Sequence, residues 1–350
     1  MAETARRAFV ATVVALAVVV LALALWKLKL VLALLFLAFI IAAALRPGID
    51  ALARRRIPRG AGIALHYLLI AGLLALALSF AVPRALNQVK TALGPNARSQ
   101  LEHDARASTG VKRSILTAVE KRLEKLPKRS QIVRPAAEAG KKAFEVIIGI
   151  FFVFASAAYW IFERDRAEDL VCSLLPRPKR KRVRDTWNLI DLRLGAFVRG
   201  QGILMLLVAT ILSLAFWAIG LPYWLLVGSF AGIVEIVPVI GPLVAGGLAI
   251  GVGLTAGVHT AILAGLCVFA VRMLEDYLII PRVLGEAVGL SPLVVLFAVF
   301  AMGILFGGFA VLLAIPLAAV VVTLIDVIVR DKDPAEEDVP TVLFAARDTE

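Results

Sequence analysis

Apolar residues run along this chain in long blocks that are separated by short charged stretches. In the first half, four blocks stand out, at about residues 8–26, 30–45, 61–82 and 143–162. The second half is almost continuously apolar and divides roughly into 200–219, 221–237, 243–258, 259–274, 288–306 and 309–328. A membrane-crossing helix needs ~20 apolar residues, and these runs lack the alternation of a barrel strand. The pattern therefore predicts an all-α polytopic membrane protein.

Several blocks of the second half are short for a complete crossing of the bilayer. Blocks such as 243–258 and 259–274 fall below the usual ~20 residues. Half-helices that enter and leave on one side are tolerated where protein or a water-filled cavity shields the broken backbone. We therefore predict about eight transmembrane or re-entrant helices.

Composition agrees with a membrane protein and argues against other classes. The chain is 61% hydrophobic with a mean hydropathy of +0.90, against roughly 45–50% apolar residues in soluble domains. The net charge of +12 is better explained by basic loops facing anionic lipid headgroups than by nucleic acid, because zinc-like Cys/His spacings and RNA-binding aromatic patterns are missing. The sequence also lacks enzyme signatures and nucleotide loops. We expect a non-enzymatic protein without cofactor or metal.

Basic loops predict the orientation of the chain. Residues 46–60 carry five arginines and one aspartate, and 177–184 carry six Lys/Arg in eight residues. Short basic loops stay cytoplasmic, which places the N-terminus inside if the first four spans all cross. Residues 27–29 are then a tight turn between spans one and two. The predicted organisation is N-terminal helices over 1–82, an extramembrane segment over 83–142, a fourth span and basic cytoplasmic loop over 143–199, a motif-rich core over 200–330 and a polar cytoplasmic tail over 331–350.

The extramembrane segment contains an amphipathic helix. Over residues 111–126 the apolar positions follow helical spacing, and charged residues occupy the other face. Such a helix fits three situations equally well: lying on the membrane surface, packing on a neighbouring subunit, or connecting two spans in solvent.

Glu235 is the single formal charge among the 72 residues from Gly200 to Val271. A carboxylate at membrane depth costs a few kcal/mol, so it faces a cavity, pairs with a cation from another helix, or stays protonated. Pro238 and the pair Gly241-Pro242 follow it and interrupt the helix. A carboxylate beside unwound carbonyls is how broken transporter helices bind a proton or Na⁺. The alternative is a structural kink with Glu235 near the membrane interface.

A second polar cluster lies at residues 272–292. On a helix, Arg272 reaches Glu275 and Asp276 at i+3 and i+4. Pro281 ends that helix. Arg282 follows it, and the loop is punctuated by Gly285, Gly289, Ser291 and Pro292. These residues fit either an ordinary charged loop or a gate opposite the Glu235 break.

Glycine pairs at G-x-x-x-G spacing recur through the second half. Such pairs let helix backbones approach closely, so we predict tight helix packing around them. The pairs are Gly228/Gly232, Gly247/Gly251, Gly253/Gly257 and Gly303/Gly307.

The segments 220–246 and 275–321, together with "FVRGQ" at 197–201, resemble the autoinducer-2 exporter family of bacterial permease-like proteins. The pattern that carries the resemblance is Leu221-Pro222-Tyr223, Gly228, Glu235, Pro238, Gly241-Pro242, Asp276, Pro281-Arg282, Gly285, Pro292, Gly303, Phe306-Gly307 and Pro316. The resemblance implies a secondary transporter in the bacterial inner membrane, built as a homo-oligomer. It implies export of a small hydrophilic molecule such as autoinducer-2, or Na⁺(Li⁺)/H⁺ antiport. Family members often carry His at the position of Ser291, which puts a proton-relay role there in doubt.

Two classes of function remain open from the sequence. A transporter would use Glu235, Pro238, Gly241 and Pro242 as its substrate or ion site, with Asp276 and Arg282 near the pathway. A non-transporting membrane scaffold would instead bind partners through the amphipathic helix of 111–126. Neutralising Glu235 should disable the transporter and spare the scaffold.

Overall fold

The computed structural model describes residues 2–93, 133–237, 240–280 and 290–337, together with 339 and 342, and most of these residues are helical, with no strand among them. The first half forms α1 to α5. Their bounds are Ala2–Lys27, Lys29–Arg54, Arg59–Leu93, Val133–Ser173 and Arg177–Ala218. The second half forms α6 to α11. Their bounds are Trp224–Val234, Ile240–Ala256, Val258–Leu274, Pro292–Phe306, Gly308–Val311 and Ala314–Ile328. A π-helical turn, Glu275–Ile279, continues α8.

The apolar blocks predicted from the sequence coincide with these helices. Within the described part of the chain, four stretches are long and apolar enough to cross a bilayer: Phe9–Lys27, Lys29–Arg54, Phe144–Ser173 and Arg177–Ala218. Shorter apolar helices make up most of the remainder, including Trp224–Val234 and Ile240–Ala256. The all-α membrane architecture is therefore confirmed, while the number of complete crossings stays a prediction.

Two connections differ from the sequence-based expectation. The charged connection 163–199 is helical except at residues 174–176. Ion pairs at i, i+4 such as Arg164–Glu168 favour helix there, although the polarity of the stretch predicts a loop. The turn expected over 27–29 is one residue, Leu28. All of Phe9–Lys27 is exposed, so within the described chain α1 does not fold back on α2. The helix of 111–126 lies outside the described residues.

Small residues let α2, α4 and α5 pack as one cluster. Ala38, Ala42 and Ile49 of α2 are buried against Val153 and Ala157 of α4. On its other side α2 meets α5 so closely that a Cβ at Gly195 would lie 2.5 Å from the carbonyl oxygen of Ala43. The N-terminal half of α5, predicted as loop, is thus a wall of the first-half bundle.

Glycines bring α5 and α6 into backbone contact. A Cβ on Gly228 would lie 2.6 Å from the backbone nitrogen of Ser213, and one on Gly232 would lie 2.6 Å from the carbonyl oxygen of Met205. The predicted tight packing is confirmed at this pair. By contrast, Gly247 and Gly251 are exposed, and the described chain places no atom within 4 Å of a Cβ there.

The pairs Gly253/Gly257 and Gly303/Gly307 each combine packing with a turn. A Cβ on Gly253 would lie 2.6 Å from the Cα of Ala261, which closes α7 on α8. Gly257 joins α7 to α8 with a φ of +156°, and Gly307 joins α9 to α10 with a φ of +89°. These backbone angles favour glycine, because side chains are strained there.

Replacing Gly232 with leucine should separate α5 from α6. A leucine side chain cannot fit against Met205 and Ala209 without moving a helix, and overpacking of this kind costs ~1–3 kcal/mol or more. We expect a lower melting temperature and less folded protein in the membrane fraction. Gly247→Leu is the matched control on an open face and should behave like wild type. Equal loss in both variants would contradict the packing described here.

The C-terminal tail after α11 lies along α5. Glu337 Oε2 accepts from Arg193 Nη2 at 2.7 Å, and Val342 is 4% exposed beside Ala196. Hydrogen bonds to Glu337 and Asp326 raise the pKa of Lys332, which keeps this side chain charged. The first residues of the polar tail therefore form part of the fold.

Candidate functional site

The chain breaks between α6 and α7 directly after Glu235. The backbone forms a tighter turn there, in which Val237 N donates to the carbonyl oxygen three residues earlier, Val234 O, at 3.0 Å. A Cβ on Gly241, the second residue of α7, would lie 2.2 Å from that same carbonyl oxygen, so only glycine fits at this position. Pro238 lies outside the described residues. The interruption predicted from the sequence is present at the expected position.

Glu235 itself is buried at 3% exposure. Apolar side chains from four helices enclose its carboxylate, namely Val208, Leu212, Ala231, Ala245, Val268 and Val271. Pro242 lines the same space, which measures about 10 Å³. This is about the minimum for one water molecule. The arrangement is a closed one, with room for a proton and no room for an organic molecule.

Arg272 supplies the cation beside Glu235. Its Nη1 lies 3.5 Å from Glu235 Oε1 and 3.2 Å from Glu275 Oε2. Its Nη2 lies 2.9 Å from Asp276 Oδ1. The pairing of Arg272 with Glu275 and Asp276 is confirmed, and the structure adds Glu235, 37 residues away in the chain.

The charges of this group do not balance. Glu235 and Glu275 have side chains that are 4% and 2% exposed, and both share a single nitrogen of Arg272. Asp276 is 37% exposed and can be solvated. Two buried carboxylates facing one guanidinium favour the uptake of one further positive charge, because like charges in a low-dielectric site repel. The group is suited to hold a proton or a monovalent cation.

The π-helical turn Glu275–Ile279 widens the end of α8 at this point. Such turns are concentrated at functional sites. Here it begins at Glu275, so two of the three acidic residues lie where the helix departs from α geometry. The hairpin of α7 and α8 therefore brings its two open ends, the helix break and the π-helical turn, to the same place.

Gln201 of α5 is a site residue that sequence reasoning did not assign. Its Nε2 donates to the carbonyl oxygen of Glu235 at 2.9 Å, and the residue is 7% exposed. This carbonyl is one of the acceptors that a broken helix leaves without an intrahelical donor. The available signal was Gln201 itself, the last residue of "FVRGQ", an uncharged polar side chain at the start of the apolar block 200–219.

Changing Gln201 to leucine should loosen the helix break. The carbonyl of Glu235 would remain buried without its donor, which costs ~1–3 kcal/mol. We expect a lower melting temperature and slower transport. Thr210→Val on the same helix is the control, because the Thr210 hydroxyl donates within α5, to Leu206 O at 2.8 Å, and the residue is exposed. Unchanged stability and flux in Gln201→Leu would remove Gln201 from the site.

The remaining residues predicted for the site are distributed as follows. Ser291 caps α9, accepting from Val294 N at 3.4 Å, and Pro292 is the first residue of that helix. A gating role for this pair stays a prediction. The other predicted positions lie outside the described residues, and they are Pro238, Pro281, Arg282 and Gly285.

Comparison with known proteins gives a family match over most of the chain. Residues 14–330 match the model of the AI-2E transporter family, described as "AI-2E family transporter". The proposed transport protein YrrI of Bacillus subtilis (strain 168) is 28% identical over 178 residues, covering 50% of each protein. A second relative, the proposed transport protein MT0215 of Mycobacterium tuberculosis (strain CDC 1551 / Oshkosh), is 26% identical over 292 residues, covering 81% of this chain and 79% of its own length. The matched part of the chain thus spans about half the length of YrrI and 79% of the length of MT0215.

Proposed function

Because the chain belongs to the AI-2E family, and is therefore a membrane transporter and not an enzyme, we propose that it is a proton-coupled secondary transporter with its coupling site at Glu235. One observation carries this proposal: Glu235 and Glu275 are both buried and share one guanidinium at a helix break. The missing positive charge is the coupling proton. Arg272 keeps the site closed while the proton is bound.

The size of the closed site favours a coupling role over cargo binding. About 10 Å³ excludes an organic solute, whereas protonation needs no additional volume. We therefore assign the Glu235 group to the proton and leave the cargo to a different conformation, opened at the α6–α7 break. Of the two candidate transport reactions, this assignment first supports export of a small hydrophilic molecule such as autoinducer-2.

Cation antiport is the second candidate, and the charge imbalance favours it. A carboxylate pair with one arginine can exchange H⁺ for Na⁺ or Li⁺ without changing the net charge of the site. The same residues would then bind both ions in turn. In either case we place the protein in the cytoplasmic membrane as a homo-oligomer, with the basic segments 46–60 and 177–184 inside.

A flux assay in proteoliposomes tests the proposal. Purified full-length protein is reconstituted with a pH-sensitive dye inside, and proton movement is followed after addition of Na⁺, Li⁺, K⁺ or autoinducer-2 outside. A signal with Na⁺ or Li⁺ above that of K⁺ supports antiport, and a signal with autoinducer-2 supports solute coupling. If none of these additions produces proton movement, with orientation and reconstitution verified, the proposed proton coupling at Glu235 is overturned.

A further inference from the structure

The tail that follows α11 lies on α5 as a non-helical strap. We define the tail strap as residues 331–337 together with 339 and 342. Three arginines of α5 contact it in chain order: Arg182 Nη2 lies 2.6 Å from Asp331 Oδ1, Arg193 Nη2 lies 2.7 Å from Glu337 Oε2, and Arg199 Nε donates to Val342 O at 2.9 Å. Because the order is the same in both segments, the tail strap runs parallel to α5 over the ~26 Å between Arg182 and Arg199.

The tail strap covers part of a cavity between α2 and α5. The cavity measures about 550 Å³, and Pro334 and Ala335 of the strap line it together with residues of the two helices such as Leu192. Further along α5, Ala196 is 0% exposed and packs against Val342 of the strap. Separation of the tail strap from α5 would therefore open the cavity on this side and uncover Ala196.

Arg193 is the most buried of the charged groups that contact the tail strap. It is 8% exposed, its Nη1 donates to the hydroxyl of Thr323 at 2.9 Å, and its Nε has no hydrogen-bond partner within the described residues. Glu337 places a carboxylate beside this guanidinium. A buried guanidinium without a carboxylate is unfavourable, so the closed strap requires the charge of Glu337. Once the strap moves away, water can solvate Arg193.

Two other ion pairs of the tail strap are open to dissolved salt. Asp331 has a side chain that is 82% exposed, and that of its partner Arg182 is 45% exposed. Lys332, 44% exposed, lies 3.4 Å from Asp326 of α11. Salt weakens exposed ion pairs, because the screening length falls from ~10 Å at 0.1 M to ~3 Å at 1 M. The contact between strap and α5 should therefore weaken as the ionic strength rises.

We propose that the tail strap is an ionic-strength-sensitive gate of the α2–α5 cavity, held closed by the contact of Glu337 with Arg193. At low ionic strength the strap lies on α5 as described above. At high ionic strength it separates from α5, water reaches Arg193, and the cavity opens to solvent. The gate requires neither Glu235 nor proton movement, so loss of either would leave it in place. Its own failure would likewise leave the proposed coupling site untouched.

Cysteine accessibility tests the gate. Ala196→Cys is placed in the full-length protein after both native cysteines, Cys172 and Cys267, have been changed to alanine. In lipid nanodiscs, the rate of labelling by a membrane-impermeant maleimide is measured between about 0.05 M and about 0.5 M KCl. We expect slow labelling at the low concentration and labelling several times faster at the high one. Lys179→Cys, at an exposed position of α5, corrects for the effect of salt on the reagent itself.

Glu337→Gln should open the gate without added salt. Removing the charge-assisted bond to Arg193 should accelerate the labelling of Cys at position 196 about tenfold at low ionic strength, and added salt should then change the rate little. Glu336→Gln is the matched control, because Glu336 is the adjacent glutamate and is exposed. It should label like the parent protein at both salt concentrations.

The melting temperature separates a gate from a general loosening of the fold. We expect it to stay within a few degrees of the parent value in Glu337→Gln, since only the strap moves. Labelling that responds neither to salt nor to Glu337→Gln would overturn the proposal. So would faster labelling accompanied by a large fall in melting temperature. Val342→Cys reads the other side of the same contact, removes volume instead of adding it, and must give the same result.

Discussion

Glu235→Gln should reduce proton movement in proteoliposomes to the level of protein-free liposomes. Glutamine has nearly the shape of glutamic acid, so the closed site can form as it does with a protonated carboxyl group. An amide neither takes up nor releases a proton at physiological pH, so coupling ends. We expect normal amounts of folded protein, because the substitution removes a buried charge and creates no cavity. The dye signal and the melting temperature are measured on the same preparation.

Glu163→Gln is the control for this experiment. Glu163 is a glutamate of α4 whose side chain is 30% exposed and pairs with the exposed Arg166 at 2.8 Å. Its neutralisation should leave proton movement unchanged. Wild-type flux in Glu235→Gln would exclude Glu235 as the coupling group, and the search would pass to Glu275. Flux lost in both variants would point to a general effect of acidic residues on reconstitution.

Arg272→Met should prevent the protein from accumulating in its folded form. Glu235 and Glu275 would lose the cation that they share, and removing one partner of a buried ion pair costs ~3–5 kcal/mol. That is a large part of the ~5–15 kcal/mol that stabilises a typical protein. The measurement is the monodisperse fraction on size-exclusion chromatography, together with the melting temperature of what remains.

The triple change Arg272→Met, Glu235→Gln and Glu275→Gln separates charge from shape. With no buried charge left, the folded protein should return, while proton movement stays absent. Arg272→Met that folds as well as wild type would show that the guanidinium does not stabilise the closed site. A triple variant that stays unfolded would show that Arg272 acts through packing.

The helix break could be predicted from the sequence because all of its signals are local. Glu235, Gly241 and Pro242 lie within eight residues of one another. The contacts of Arg272 with Glu275 and Asp276 follow from helical periodicity for the same reason. The pairing of Arg272 with Glu235 could not be predicted, since nothing in periodicity relates residues 37 positions apart. The sequence left three environments open for Glu235, namely a cavity, a cation from another helix or protonation, and the fold places the guanidinium of Arg272 beside it.

Glycine spacing illustrates the same limit. Gly228/Gly232 and Gly247/Gly251 have identical spacing, yet only the first pair meets another helix within the described chain. Spacing tells which residues share a face, and it does not tell whether that face is covered. The prediction of a loop over 163–199 was wrong for a related reason. Hydropathy distinguishes polar from apolar residues, but it does not distinguish a helix from a loop.

The shortness of α6 has a consequence for how the chain enters the bilayer. With 11 residues it rises only ~16 Å, about half of the hydrocarbon thickness, and the acidic Glu235 follows its last residue. Such a segment cannot partition into lipid alone during synthesis. Its glycine face lies on α5, so we expect α6 to enter the bilayer packed on α5. Arg272 is made 37 residues after Glu235, so the buried carboxyl group meets its arginine only once α8 has been synthesised, and we expect α5 to α8 to settle into the bilayer together.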